Sequence, residues 1–286
     1  MPSPAHLVTG VFIGSHAVSA GDLTPRQLRS FRRVVQGVYA DPSLPLDHRL
    51  RCEAVALLLP PGAVLGGSSA AGWHGAPWPA LGDPVTVLRP ADVEWRGPRG
   101  VRVHRSTLEP GEAELRDGVP VTTASRTAWD VAALEPLGTA VAALDAMVRS
   151  GTVDLPVLAA RTSGASGRWG VTRVRRALSL VDPRAESGPE TRVRVALVTA
   201  GLTPVPQFGV RHGGRFVARV DLAFPEVRPA VEYDGEHHFD GAQIVRDDER
   251  HARLLAAGWR VIRLSAADLR ALDAVVQRVR AALATW

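Results

Sequence analysis

Residues 219–240 read RVDLAFPEVRPAVEYDGEHHFD, and they set the architecture of the last third of the chain. Two runs rich in apolar and β-branched residues, Arg215 to Phe224 and Pro229 to Asp234, flank Pro225-Glu226-Val227-Arg228, which predicts an antiparallel hairpin. A turn in which Pro225 faces Arg228 sets Asp221 directly opposite Glu232, on one face of the sheet. Cross-strand neighbours have β-carbons about 4.5–5.5 Å apart, close enough for two carboxylates to hold one divalent ion. Asp234, two residues beyond Glu232, is expected on the same face. Three like charges there repel unless a cation or protons compensate them.

On the N-terminal side of the hairpin, Pro189 to Ala200 reads as a helix closed by Gly201, followed by a strand at Pro206 to Arg211 and the two hairpin strands. A helix from Gly241 to Ala257 closed by Gly258, a strand from Trp259 to Leu264 and a final helix from Ala266 complete the order αβββαβα. Glu190 shares a helical face with Val193 and Leu197, so its carboxylate either looks inward or serves the helix dipole in the first turn. His237 and His238 follow the hairpin, where either can assist proton transfer or stand as an ordinary loop histidine.

Charge sharpens this picture. The stretch from Asp221 to Glu249 carries nine acidic residues against only Arg228 and Arg246, inside a chain of formal net charge +5. All 34 basic residues other than histidine are arginine. The absence of lysine excludes Walker-type nucleotide loops, Schiff-base enzymes and kinases, and the arginine excess makes nucleic acid a natural partner. One cysteine forms neither an internal disulfide nor a cysteine zinc cluster. With no signal pattern and no apolar run of membrane length, the expectation is a cytoplasmic protein without a membrane partner.

The preceding residues read as a mixed α+β region. Thr24 and Gln27 form a capping box around Pro25, and Leu28, Phe31 and Val35 recur with helical spacing, while Arg26, Arg29, Arg32 and Arg33 crowd the other faces. This predicts a short basic helix, with Gly37-Val38-Tyr39 as a following strand; it serves either as part of a winged helix near phosphates or as an ordinary surface helix. Further helices are expected from Asp47 to Leu59, after Ser68-Ser69, and near Ser125 to Ala133, Thr139 to Arg149 and Val171 to Val181; strands are expected at Val85 to Leu88, Val101 to His104 and Val119 to Thr122. His74 and His104 lack partners at ligand spacing and are expected to be structural, and most of the seven tryptophans to fill core.

Two resemblances attach to these residues. "GVYA", "VLGGSSAAGWHG", "VRVHRSTLEPGE" and "DGVPVTTASRTAWDVAALE" together resemble AbiEi-like type IV antitoxins, which implies a DNA-binding, autoregulating module and a protein partner. "SGPETRVRVAL", the hairpin and "QIVRDDERHARLLAAGWRVIRLSAADL" resemble the PD-(D/E)xK nuclease superfamily, in a branch similar to very-short-patch repair endonucleases. That resemblance implies a restriction-endonuclease-like core binding magnesium or manganese. It makes Asp221 the signature metal ligand, Glu232 the second-strand acid, Glu190 the helix acid and Asp247 the acid supporting the histidine, with His238 the better match and His237 open. The superfamily's lysine position holds Asp234, so either His238 takes over part of the proton work or Asp234 becomes a further ligand.

The domains expected are a partial winged-helix-like segment at 1–41, an antitoxin-like α+β region at 42–181 and a nuclease-like α/β domain at 182–286. The function expected is magnesium-dependent endonucleolytic hydrolysis of DNA, with Arg219, Arg246 and Arg250 touching phosphates. RNA stays open as a substrate of the same chemistry, and a non-catalytic DNA-binding regulator on a nuclease-like scaffold is the alternative.

Overall fold

The computed structural model describes residues 10–235 and 241–285, with the side chains of 241–247 outside the described set. The fold is mixed α/β. In chain order its elements are β1 (Val11–Ile13), α1 (Gly14–Ser19), α2 (Pro25–Leu28), β2 (Arg32–Val35), β3 (Val38–Ala40), α3 (His48–Ala56), β4 (Val64–Leu65), α4 (Gly67–Ala71), β5 (Val85–Arg89), β6 (Val101–Arg105), β7 (Ala113–Arg116), β8 (Val119–Thr122) and α5 (Ala124–Leu134). There follow α6 (Leu137–Arg149), α7 (Leu155–Ser163), α8 (Val171–Leu178), α9 (Gly188–Thr199), β9 (Val205–His212), β10 (Arg215–Ala223), β11 (Pro229–Tyr233), α10 (Gly241–Ala256), β12 (Arg260–Leu264) and α11 (Leu272–Ala284).

The chain divides into two compact units, residues 1–135 with 150–164, and residues 136–149 with 165–286. This division differs from the expected boundaries at 41/42 and 181/182, because α6 and α8 belong with the C-terminal unit. The reason is a buried ion pair: Asp145 on α6 accepts from Arg194 and from the Thr191 hydroxyl on α9, at 2.8 and 2.7 Å, and from the Asp182 N–H at 2.7 Å.

The first unit holds a three-stranded sheet ordered β1-β3-β2 and a five-stranded sheet ordered β6-β5-β4-β8-β7. The expected basic helix from Thr24 to Val35 is corrected here. Its capping box forms as read, with Thr24 and Gln27 bonding reciprocally, but the helix lasts one turn and Arg32 and Arg33 lie on β2. A tight hairpin overrides the helical spacing, since Val35 pairs with Val38 across a turn where Gly37 takes φ 81°. Val35 and Val38 are buried in the core of this unit with Val55, Leu65 and Val87. His74 is structural as expected: it is fully buried, and its Nε2 lies 2.8 Å from the Thr122 carbonyl.

The second unit contains the order αβββαβα from α9 to α11. Its sheet is ordered β12-β11-β10-β9, with β11 and β12 parallel and the other pairs antiparallel. One face packs on α9 and α11 through Val193, Leu197, Leu222, Val231, Leu264 and Val276. The other packs on α10 through Ala218, Val220, Ala230 and Leu254, with Trp259 beyond the helix. Full burial of each such aliphatic side chain stabilises by about 1.5–3 kcal/mol. Val220 and Leu222 should share a face by strand alternation, yet they join opposite cores. The alternation breaks at the residue between them, Asp221.

Candidate active site

The hairpin register is the one read from sequence. Leu222 pairs with Val231 and Ala223 with Ala230, and the Phe224 N–H reaches the Pro229 carbonyl at 2.9 Å to close the 225–228 turn. Extended by one residue, that register sets Asp221 opposite Glu232. Beyond Leu222 the backbone ladder stops, and the Tyr233 N–H donates to the Asp221 carboxylate at 2.8 Å. The side chain thus replaces a ladder bond where the two strands part.

On the other flank of β10, Val220 pairs with Phe208 and Leu222 with Pro206, so Gln207 faces Asp221. Gln207 has φ 51°, in the left-handed region that a side chain rarely adopts, so the facing strand is irregular at the same level as the broken alternation. Its Nε2 donates to Glu190 Oε2 at 2.8 Å, and the same oxygen accepts the Glu186 N–H at 3.0 Å. Glu190 therefore looks inward, 8% exposed, in the first turn of a helix capped by Ser187. Glu232 pairs on its far side with Arg263 of β12. Gln207, Asp221, Glu232 and Arg263 form one polar row across four strands.

From α10, Arg250 grips Glu232 bidentately, Nη1 to Oε1 at 2.7 Å and Nη2 to Oε2 at 2.8 Å. Glu232 is 6% exposed, and a buried carboxylate of this kind requires such a partner. Asp221 shares the field of that guanidinium without being gripped by it. Burial pushes the Asp221 carboxyl up to about 6; the Tyr233 N–H and, more weakly, Arg250 work against that rise, while the charges of Glu190 and Glu232 add to it.

The expected site residues separate accordingly. Glu190 and Glu232 are both brought within electrostatic reach of Asp221. Asp234 lies at the exposed edge of this group, two residues beyond Glu232. The Asp234 N–H continues the parallel pairing to the Leu264 carbonyl at 2.8 Å, and its side chain, 63% exposed, lies beside Arg263, the β12 partner of Glu232, with Nε at 3.9 Å. Arg250 is engaged by Glu232 while its side chain stays 32% exposed, and Arg219 forms a surface pair with Glu186 at 2.7 Å. His237 and His238, and the side chains of Arg246 and Asp247, lie outside the described residues. In the first unit Arg26, Arg29 and Arg33 are exposed, whereas the half-buried Arg32 donates to the carbonyls of Leu44 and Pro42 at 2.8 and 2.7 Å.

Hard oxygen donors such as Asp221 and Glu232 suit magnesium or manganese. Burial first, and then the charges of Glu190 and Glu232, disfavour the ionised Asp221 carboxylate, and a cation beside it would offset both. Among the described residues no group of three or more His, Cys, Asp or Glu side chains is close enough to hold a metal ion, so the fit rests on the Asp221–Glu232 pair. Gln207 escaped the sequence reading, because a lone glutamine in a strand carries no signal until its register with Asp221 is known.

No family model and no solved structure matches this chain. Two Mycobacterium tuberculosis proteins, MT2308 and Rv2248, each described as an uncharacterized protein, are 31% identical to it over 189 residues, covering 65% of this chain and 68% of theirs. At that identity and coverage, the chain belongs to the family of these mycobacterial proteins.

Proposed function

We propose that the protein is a metal-dependent endonuclease that hydrolyses phosphodiester bonds in DNA at the Asp221–Glu232 pair. The observation that carries this reading is the convergence of those two carboxylates where β10 and β11 part, with Glu190 contributing a third charge. A magnesium ion held here would supply Lewis acidity toward the scissile phosphate and lower the pKa of a bound water. Asp221 and Glu232 would hold it, and Glu190, fixed by Gln207, would add negative potential beside it. Arg219 on the rim exchanges a weak surface ion pair for a phosphate oxygen. His238 is proposed as the proton acceptor, Asp247 as its support and Arg246 as a further phosphate ligand. Arg26, Arg29 and Arg33 add sequence-independent DNA affinity from the antitoxin-like unit, which is also proposed to take a protein partner.

Among the described residues no helix is long and apolar enough to cross a membrane, and the cytoplasm is the proposed site of action. A second reading, a DNA-binding regulator on a nuclease-like scaffold, is favoured by the Arg250 fork that already neutralises Glu232. Incubation of the purified chain with linear duplex, single-stranded DNA and RNA, in magnesium, manganese or chelator, separates the two. Metal-dependent scission of DNA supports the enzyme, scission of RNA alone redirects the substrate, and binding without scission of any of them supports the regulator.

A further inference from the structure

Arg250 lies on the stripe of α10 that continues through Leu254 and on to Ala257 just past its end, which are 0% and 5% exposed against the sheet. The helix therefore delivers the guanidinium onto the carboxylate row. Its fork occupies both oxygens of Glu232, and Nη1 also reaches the Arg219 carbonyl at 3.3 Å. The Arg250 side chain is 32% exposed while that of Glu232 is 7% exposed, so the cation has an outlet to water and the anion has almost none. A divalent ion shared by Asp221 and Glu232 needs the lone pairs that the fork now fills.

We propose that Arg250 is a resident counter-ion of this site, and that a divalent cation binds by displacing it from Glu232. The inference rests on the metal-site reading above. It makes apparent metal affinity the difference between two competing cations, and it explains how a buried carboxylate survives folding before any ion arrives.

The test is calorimetric titration of manganese into wild type, Arg250→Met and Arg250→Lys, with the melting temperature of each in chelator and in saturating manganese. Removal of the competing fork should tighten manganese binding about tenfold or more in Arg250→Met. Arg250→Lys, whose ammonium cannot fork, should fall between the two. Arg250→Met should also melt lower than wild type in chelator and gain more from manganese. If Arg250→Met does not fold in chelator, the direction of the affinity change in Arg250→Lys decides. Equal manganese affinity in all three proteins overturns the displacement and leaves the metal site standing. Weaker binding in Arg250→Met also overturns it, by making Arg250 a prop that orients Glu232. No manganese binding by wild type or either variant overturns both this inference and the metal reading.

Discussion

Gln207 donates to Glu190 at 2.8 Å from a backbone held at φ 51°, directly across from Asp221 of β10. The left-handed conformation costs about 1 kcal/mol or more for a residue bearing a side chain. A hydrogen bond to a charged group returns about 1.5–3 kcal/mol. Gln207→Ala should therefore destabilise the protein by about 1–3 kcal/mol, and Gln207→Gly by less, because glycine relieves the backbone while losing the same bond. Urea unfolding of both variants measures this, and equal losses would mean that the backbone stores no strain at this position.

Asp221 gives a pH signature. Its carboxyl sits at about 6 in the folded protein against an ordinary value of 3.8, so the native state holds the proton more tightly than the unfolded chain. The contribution is fully present below pH 3.8 and is lost as pH rises through about 6. In chelator at pH 7.5, Asp221→Asn should be more stable than wild type by on the order of 1–2 kcal/mol, after allowance for solvent screening. The difference should vanish at about pH 4, near the ordinary carboxyl value. Thermal melts across that range check it, and a wild type that stays the more stable at the upper end would contradict the strained-carboxylate picture.

The hairpin, the order αβββαβα and the inward Glu190 were legible because each follows from local periodicity and one turn. The register needed only Pro225 and Arg228 as its fulcrum, and Asp221 and Glu232 followed from it. Three other features were hidden for a common reason: they are set by the strand or helix each residue pairs with, which local spacing does not show. Leu28, Phe31 and Val35 have helical spacing, but pairing of β2 with β3 takes the last of them into a sheet. The unit boundary depends on Asp145 meeting Arg194, and the left-handed Gln207 on a facing strand.

The Asp145 cluster yields a stability prediction for the second unit. Asp145 is 1% exposed, and burial raises its carboxyl pKa against the opposing pull of Thr191, Arg194 and the Asp182 N–H. Asp145→Ala leaves Arg194, itself 5% exposed, without its carboxylate partner. A loss of about 3–5 kcal/mol is expected, as for other broken buried pairs. Calorimetry of the variant tests it, and a change under about 1 kcal/mol would mean that α6 is held to α9 by apolar packing alone.

The surface arginines of the first unit divide by what holds them. Arg26→Ala, Arg29→Ala and Arg33→Ala combined should weaken duplex DNA binding and flatten its salt dependence by about 0.9 in log–log slope for each phosphate no longer neutralised. Arg32→Ala should instead cost about 1–2 kcal/mol of stability, because it strips donors from the Leu44 and Pro42 carbonyls. Fluorescence anisotropy from about 50 to 300 mM salt reads the first effect, and an unchanged slope in the triple variant would return these arginines to an ordinary surface.

Asp221 and Glu232 together form the proposed catalytic metal site, and the initial rate of nicking of supercoiled plasmid in magnesium puts them to trial, compared among wild type, Glu232→Gln, Asp221→Asn and His238→Ala. A lost general base costs about a hundred- to ten-thousand-fold, whereas a lost ligand disorganises the ion on which the whole reaction depends. Wild type should nick the plasmid until chelator abolishes the activity, His238→Ala should retain a slow rate, and both ligand variants should lose more. Nicking that persists in chelator, or at the wild-type rate in Glu232→Gln, would contradict the assignment.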